Sequence, residues 1–198
     1  MLSDEQINDI CRKMGAPLAG CFFKDELPRN IEFNKGYIIN MEDSVSGEGL
    51  PTDGTHWTCL FVKKYPDGNV DPIYFDSFGA PPPEAVKKFV KTNTNKFLPN
   101  TTKDIQSIVN NACGWYCMAF IYAITNESMA CGDLYSDVDQ FLQMFDNLTT
   151  TNQYKKNEYI LKQFFRSADP ALRKEIGVDD APQTHEGHER YTIDSRLI

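Results

Sequence analysis

Asn111-Ala112-Cys113-Gly114-Trp115-Tyr116-Cys117-Met118-Ala119-Phe120-Ile121-Tyr122-Ala123-Ile124-Thr125 is the stretch on which the fold turns. Trp115, Met118, Ala119, Tyr122 and Ala123 recur at the i, i+3, i+4, i+7 spacing of a buried helix, so this stretch predicts a central helix from 114 to about 125. A cysteine stands directly before it. At that place unpaired backbone N–H groups and the helix dipole favour an anion, and the thiolate is the nucleophilic form of cysteine. Gly114 removes a side chain that would crowd an incoming carbonyl, which gives it a substrate-side role. The competing reading of Cys113 is a small buried hydrophobe. Its partners elsewhere in the chain decide between the two.

Upstream, Trp57–Lys64 and Pro72–Phe78 are β-branched and aromatic runs separated by Tyr65-Pro66-Asp67-Gly68-Asn69, which predicts a hairpin with both strands in the core. His56 stands at the edge of the first strand, whereas the other two histidines, His185 and His188, fall in a charged C-terminal stretch. Asp76 lies on the second strand, and antiparallel pairing through the turn brings it within about three residues of His56 in register. A centred turn puts the two on opposite faces, so a bulge is expected to correct the parity. A carboxylate that holds an imidazole in its working tautomer completes the nucleophile–base–orienter logic. Asp76 reads equally well as an acid of a strand-end turn. Gln106, seven residues before Cys113 in a predicted strand at 104–109, is an uncharged donor able to join the Cys113 N–H in stabilising a tetrahedral oxyanion.

Working outward, Ser3-x-x-Gln6 is a capping box before Ile7, Ile10, Cys11 and Met14, predicting an amphipathic helix over 3–14. Residues 15–55 read as irregular apart from a short strand at Gly36–Asn40, and 44–55, rich in Gly and Ser, as a mobile loop delivering the chain to His56. Further helices are predicted over 84–93, 137–146 and 157–166. The chain from 167 onward, charged and broken by Asp169-Pro170 and Ala181-Pro182, reads as a loosely packed tail to 198 behind one domain of 1–166.

A net charge of −8 weighs against a protein built to grip nucleic-acid phosphates. Lys87, Lys88, Lys91, Lys96 and Lys103, with Lys155, Lys156, Lys162 and Arg166, leave room for a local basic face, although such runs usually only meet water. There is no leader-like N-terminus and no apolar run approaching the ~18 residues that span a bilayer, so a soluble, unsecreted protein without membrane partners is expected. Its six cysteines then read as free thiols of a reducing compartment.

Gly54-Thr55-His56-Trp57, Tyr74-Phe75-Asp76-Ser77-Phe78-Gly79, and Gln106 followed seven residues on by Cys113 in Ala112-Cys113-Gly114-Trp115-Tyr116-Cys117 together resemble the adenovirus-type maturation proteases and their relatives in virophages and Polinton-like elements. The resemblance spans roughly residues 1–165 in order and spacing, and the same catalytic order is shared by the proteases of ubiquitin-like proteins. It implies an α+β, papain-like, circularly permuted fold, with a central mixed or antiparallel sheet packed on the central helix. It also implies a cysteine endopeptidase with His56, Asp76, Gln106 and Cys113 as catalytic residues, cleaving viral capsid and core precursors after Gly-rich sites during virion maturation. Such an enzyme would work in the host-cell cytoplasm and the virion interior and needs no cofactor. Trp57 would help shape a narrow channel for glycine-like residues; it reads equally as core. Adenoviral members carry Glu where this chain has Asp76, and a peptide-linking cysteine where it has Asn95, so any activating peptide would act here without a disulfide tether. DNA as an activator fits the acidic chain poorly.

Three rival readings stand beside this one. A metal site could use Cys113, Cys117 and Cys131, or His185-Glu186-Gly187-His188, but there is no C-x2-C pair and closed zinc sites want four ligands at tighter spacing. A protease that removes ubiquitin-like modifiers shares the chemistry but not the substrate. A non-catalytic virion structural protein is the third, against which four chemically competent side chains stand.

Overall fold

The structure, a computed structural model, describes residues 1–148 and 153–177. Helix α1 (Asp4–Met14) carries the expected capping box: Ser3 Oγ accepts from the Gln6 N–H, and the Gln6 side chain accepts from the Ser3 N–H. Four strands follow, β1 (Leu18–Phe23), β2 (Gly36–Asn40), β3 (Trp57–Lys64) and β4 (Val70–Phe75), in the spatial order β1-β2-β3-β4. The β1–β2 pair is parallel and the other two pairs are antiparallel, so the sheet is mixed. Then come α2 (Glu84–Thr94), α3 (Cys113–Thr125), α4 (Leu134–Gln143), α5 (Gln153–Gln163), the single turn α6 (Pro170–Arg173) and a 3-10 turn at Lys174–Ile176. The architecture is α+β.

The sheet is buried on both faces. Ile38, Cys59, Phe61, Ile73 and Phe75 join one apolar cluster with α1, α3, α4 and α5. Tyr37, Ile39, Leu60, Val62 and Tyr74 join another, covered by Val86, Phe89 and Val90 of α2. This is why the hairpin strands read as unbroken apolar runs rather than alternating ones. Helix α3 lies at the centre, with every residue from Cys113 to Ile124 buried. A helix apolar all round belongs inside a core, where full burial of each large side chain contributes about 1.5–3 kcal/mol. Phe120 stacks on Phe75 of β4 with ring centroids 4.5 Å apart, locking helix to sheet.

Several expectations need correction. Strand β1 forms where irregular chain was expected; it holds Gly20 and is only half-buried throughout, so it lacked the apolar pattern of the other strands. The strand expected at 104–109 does not form. The N–H groups of Ile105 and Gln106 both go to Ser77 O, and Ile105 O accepts from Tyr116 Oη and Asn157 Nδ2, so turns and side chains replace a ladder. Helix α4 starts at Leu134 because Asp133 caps it, its carboxylate accepting from the Ser136 N–H at 2.9 Å. Helix α5 likewise sits earlier than expected, ending at Gln163.

Past residue 166 the chain still packs: Ile176 is wholly buried and Leu172 rests against the core. The rest of the expected tail, 178–198, lies outside the described residues. Among the described residues no helix is long and apolar enough to cross a membrane.

Candidate active site

His56 ends the loop that feeds β3, and Asp76 is the first residue past β4. Their side chains meet, with His56 Nε2 2.9 Å from Asp76 Oδ1. The β3–β4 ladder is regular from Lys64↔Val70 to Cys59↔Phe75, so no bulge corrects the parity. Instead β4 stops at Phe75 and Asp76 begins a turn. Its Oδ1 accepts from the Phe78 N–H at 2.8 Å and its carbonyl from the Gly79 N–H at 2.9 Å, which frees the carboxylate from the strand's facing rule. Asp76 is thus both a turn acid and the orienter of His56. Gly79 closes that turn at φ +72, where a Cβ would run into the Thr102 carbonyl.

Cys113 opens α3, and its thiol lies close enough to His56 to help raise the imidazole's pKa. With Nε2 turned to Asp76, the ring nitrogen left for the thiol is Nδ1. Burial works against a charged His56, but the bonds to Asp76 and then Cys113 outweigh it and raise its pKa from 6.5 to about 9. The imidazole is 17% exposed and the carboxylate 2%, so the pair is shielded yet open toward the thiol. The other cysteines are poor nucleophiles: burial pushes Cys11 and Cys21 up to about 12 and Cys59 and Cys117 well above the ordinary thiol value. Cys131, at the surface, is raised by its bond to Asp137. Cys117, one turn after Cys113, is core, its thiol set 3.5 Å from the Trp57 carbonyl. At the start of α3, Ala112 offers no side-chain cap, leaving the first-turn N–H groups to whatever anion approaches.

Gln106 is buried at the other side of the Asp76 turn. Its Oε1 accepts from Ser77 Oγ at 2.6 Å, and its Nε2 donates at 3.2 Å to the carbonyl of Asn110, an acceptor only, which fixes which end of the amide is the donor. Asn110 in turn donates to Glu158 Oε1 of α5 and accepts from the Ala112 N–H, so the segment leading to Cys113 is braced at both ends. Two roles here were not read from sequence: Ser77 braces Gln106, and Phe78 lies against the His56 ring at 4.8 Å between centroids. The signal was present in the order Asp76-Ser77-Phe78-Gly79, whose members hold the acid, the amide and the imidazole in one turn.

Trp57 is nearly buried, donates from Nε1 to Leu2 O at 3.0 Å, and lines an open cleft with Gly54, Asn40 and Leu2. A Cβ on Gly114 would meet Ile7 and Trp57 at 3.4 Å and Leu2 at 3.6 Å, so this glycine faces the packing between α1 and Trp57. Among the described residues no three His, Cys, Asp or Glu side chains group closely enough to hold a metal. The His185–His188 motif lies outside the described residues. The chain matches no protein-family model and no curated protein.

Proposed function

We propose that the chain is a cysteine endopeptidase of papain-like, circularly permuted fold. The observation that carries the reading is the single imidazole set between Asp76 and the thiol at the head of α3. Cys113 Sγ, its proton held by His56, attacks a peptide carbonyl; the oxyanion falls to the uncapped N–H groups of α3 and to Gln106 Nε2. His56 then gives its proton to the leaving amine, and water hydrolyses the thioester with His56 as base. Asp76 keeps the ring oriented throughout. The resemblance to adenovirus-type maturation proteases directs the proposal to viral capsid and core precursors, cut after Gly-rich sites in the infected cell or the assembling virion. An activating peptide, if one serves, binds without a disulfide.

Removal of a ubiquitin-like modifier is a second reading, favoured by Ile108 and Val109. These apolar residues stand 86% and 83% exposed on the segment between Gln106 and Cys113, where a folded partner would meet them.

The test incubates wild type and Cys113→Ala with a lysate-derived peptide library and sequences the new N-termini. Cuts made by wild type alone, after Gly-Gly or Gly-x-Gly, support a maturation protease. Cleavage of a ubiquitin-like fluorogenic conjugate without peptide cuts moves the substrate to a folded modifier. Equal activity of wild type and Cys113→Ala removes the peptidase reading altogether.

A further inference from the structure

An open cleft of about 710 Å³ is walled by Gly54 and Trp57, which flank Thr55-His56 in the chain, together with Leu2, Phe22 and Asn40. Its acidic lining residues are Asp4, Glu26 and Asp53, and among the described residues no Lys or Arg lines it. The amino group of Met1, also at its wall, is turned to Glu175 at 4.0 Å.

Asn40 is the unusual member. It ends β2, pairs with Trp57 across the sheet, and is 1% exposed. Its Oδ1 accepts from the backbone N–H groups of Glu42 at 3.1 Å and Thr55 at 3.3 Å, which settles the orientation of the amide, since a flipped group would set donors against donors. Among the described residues its Nδ2 has no hydrogen-bond partner. An orphaned buried donor costs about 1–3 kcal/mol, so its retention needs a reason. The nitrogen is covered by Gly54, at φ +74, where a Cβ would collide with it.

The loop is anchored at its start, where Ser44 bonds the Asp25 carboxylate and Asp43 pairs with Lys24, and at its end, where the Thr55 N–H bonds Asn40 Oδ1. From Ser46 to Leu50 and at Thr52, the hydrogen bonds of the loop run to residues of the same loop, Asp43, Ser44, Ser46 and Leu50. Val45 and Leu50 stand exposed along it. Between those anchors the chain is bonded mainly to itself, and such a stretch opens at smaller free-energy cost than the ladder-bound sheet.

We propose that this cleft seats an extended peptide arm of the substrate carrying Lys or Arg, and that Asn40 Nδ2, uncovered as Gly54 moves aside, donates to one of its main-chain carbonyls. The main-chain bond fixes register, so that the neighbouring peptide carbonyl presents itself to Cys113. The carboxylates choose the side chains, favouring basic residues and repelling acidic ones. Gly54 is required because any side chain there would displace the amide. The inference rests on the peptidase reading only for the class of ligand.

The test is a binding measurement in the Cys113→Ala protein, by calorimetry, with extended Gly-rich peptides bearing Lys or Glu at successive positions. In a parallel series each amide in turn is replaced by an (E)-alkene, which removes one carbonyl acceptor. Lys peptides are expected to bind about tenfold more tightly than their Glu counterparts. One alkene position should weaken binding by about tenfold in the parent. That position should lose its effect in Asn40→Asp, which keeps the acceptor for Glu42 and Thr55 but removes the donor. Gly54→Ala, which leaves Asn40 in place chemically, should reproduce the loss should Asn40→Asp fold poorly. Alkene effects that persist unchanged in both variants, or no preference for Lys, overturn the proposal. Catalysis does not enter this readout. A wild type that cuts nothing removes the peptidase reading while the binding data still stand or fall alone.

Discussion

His56 and Asp76 stand at the margin of a sheet whose strands are tied by main-chain ladders, whereas Gln106 and the approach to Cys113 are held by single turn bonds and by side chains. In the first half position follows from register, and only the departure from β4 at Asp76 is decided by a side chain accepting the Phe78 N–H. In the second half Ser77 holds Gln106 with its hydroxyl and, through its carbonyl, the Ile105 and Gln106 N–H groups, while Asn110 joins Gln106, Ala112 and Glu158, and Tyr116 bonds Ile105 O; none of these belongs to a repeating pattern. The halves meet where His56 faces Cys113 and where Ser77 holds Ile105 and Gln106. His56 and Asp76 are thus set by the fold as a whole, and Gln106 by a local network that single substitutions can loosen.

The largest effect should come from the sheet-borne half. Cleavage by His56→Ala is expected to fall by about 10²–10⁴-fold in kcat/KM, with Asp76→Asn losing less, because the carboxylate is one step removed from the proton in flight. Equal losses, measured on one fluorogenic peptide, would break the ordering of base and orienter. On the helix-borne side, Gln106→Ala should lower kcat by about 10²–10³-fold with KM little changed, as removal of an oxyanion donor does. Ser77→Ala, which leaves the amide but frees its orientation, should lose about tenfold in kcat on the same reasoning. If Ser77→Ala matched wild type, the shared turn would not couple the two halves.

A smaller effect is a pH dependence. The folded pKa of His56 is about 9, above its ordinary 6.5. The stability contributed by the charged imidazole is therefore fully present below pH 6.5 and lost as pH rises through about 9, an amount on the order of 3 kcal/mol. Urea titrations at pH 6 and 9.5 should show the fall, and Asp76→Asn should flatten it. The alkaline limb of kcat/KM should lie near 9 in wild type and move down in that variant. An unshifted limb would show that Asp76 is not what holds the proton.

What could be read from the sequence divides along the same line. The apolar runs of β3 and β4 and the all-round apolar face of α3 report burial directly, so the hairpin, the central helix and the positions of His56 and Cys113 at their ends were legible. The strand end at Phe75 was not, because it depends on one carboxylate bonding two residues ahead. Residues 104–109 resembled a strand because Ile105, Ile108 and Val109 are β-branched, yet Ile105 is buried and the other two are exposed. Asn40 gave no signal at all: a strand-end asparagine acquires its meaning only when the chain folds Gly54 over it.

Helix α3 has a consequence for timing. Being apolar on every side, it cannot persist alone in water, and α4 and α5, which pack against it, lie after it in the chain. The thiol therefore gains its imidazole only when residues as far along as Phe164 and Phe165 have been made and have closed over the helix. On a growing chain the Cys113 thiol and the His56 imidazole therefore lie on stretches that have not yet been brought together.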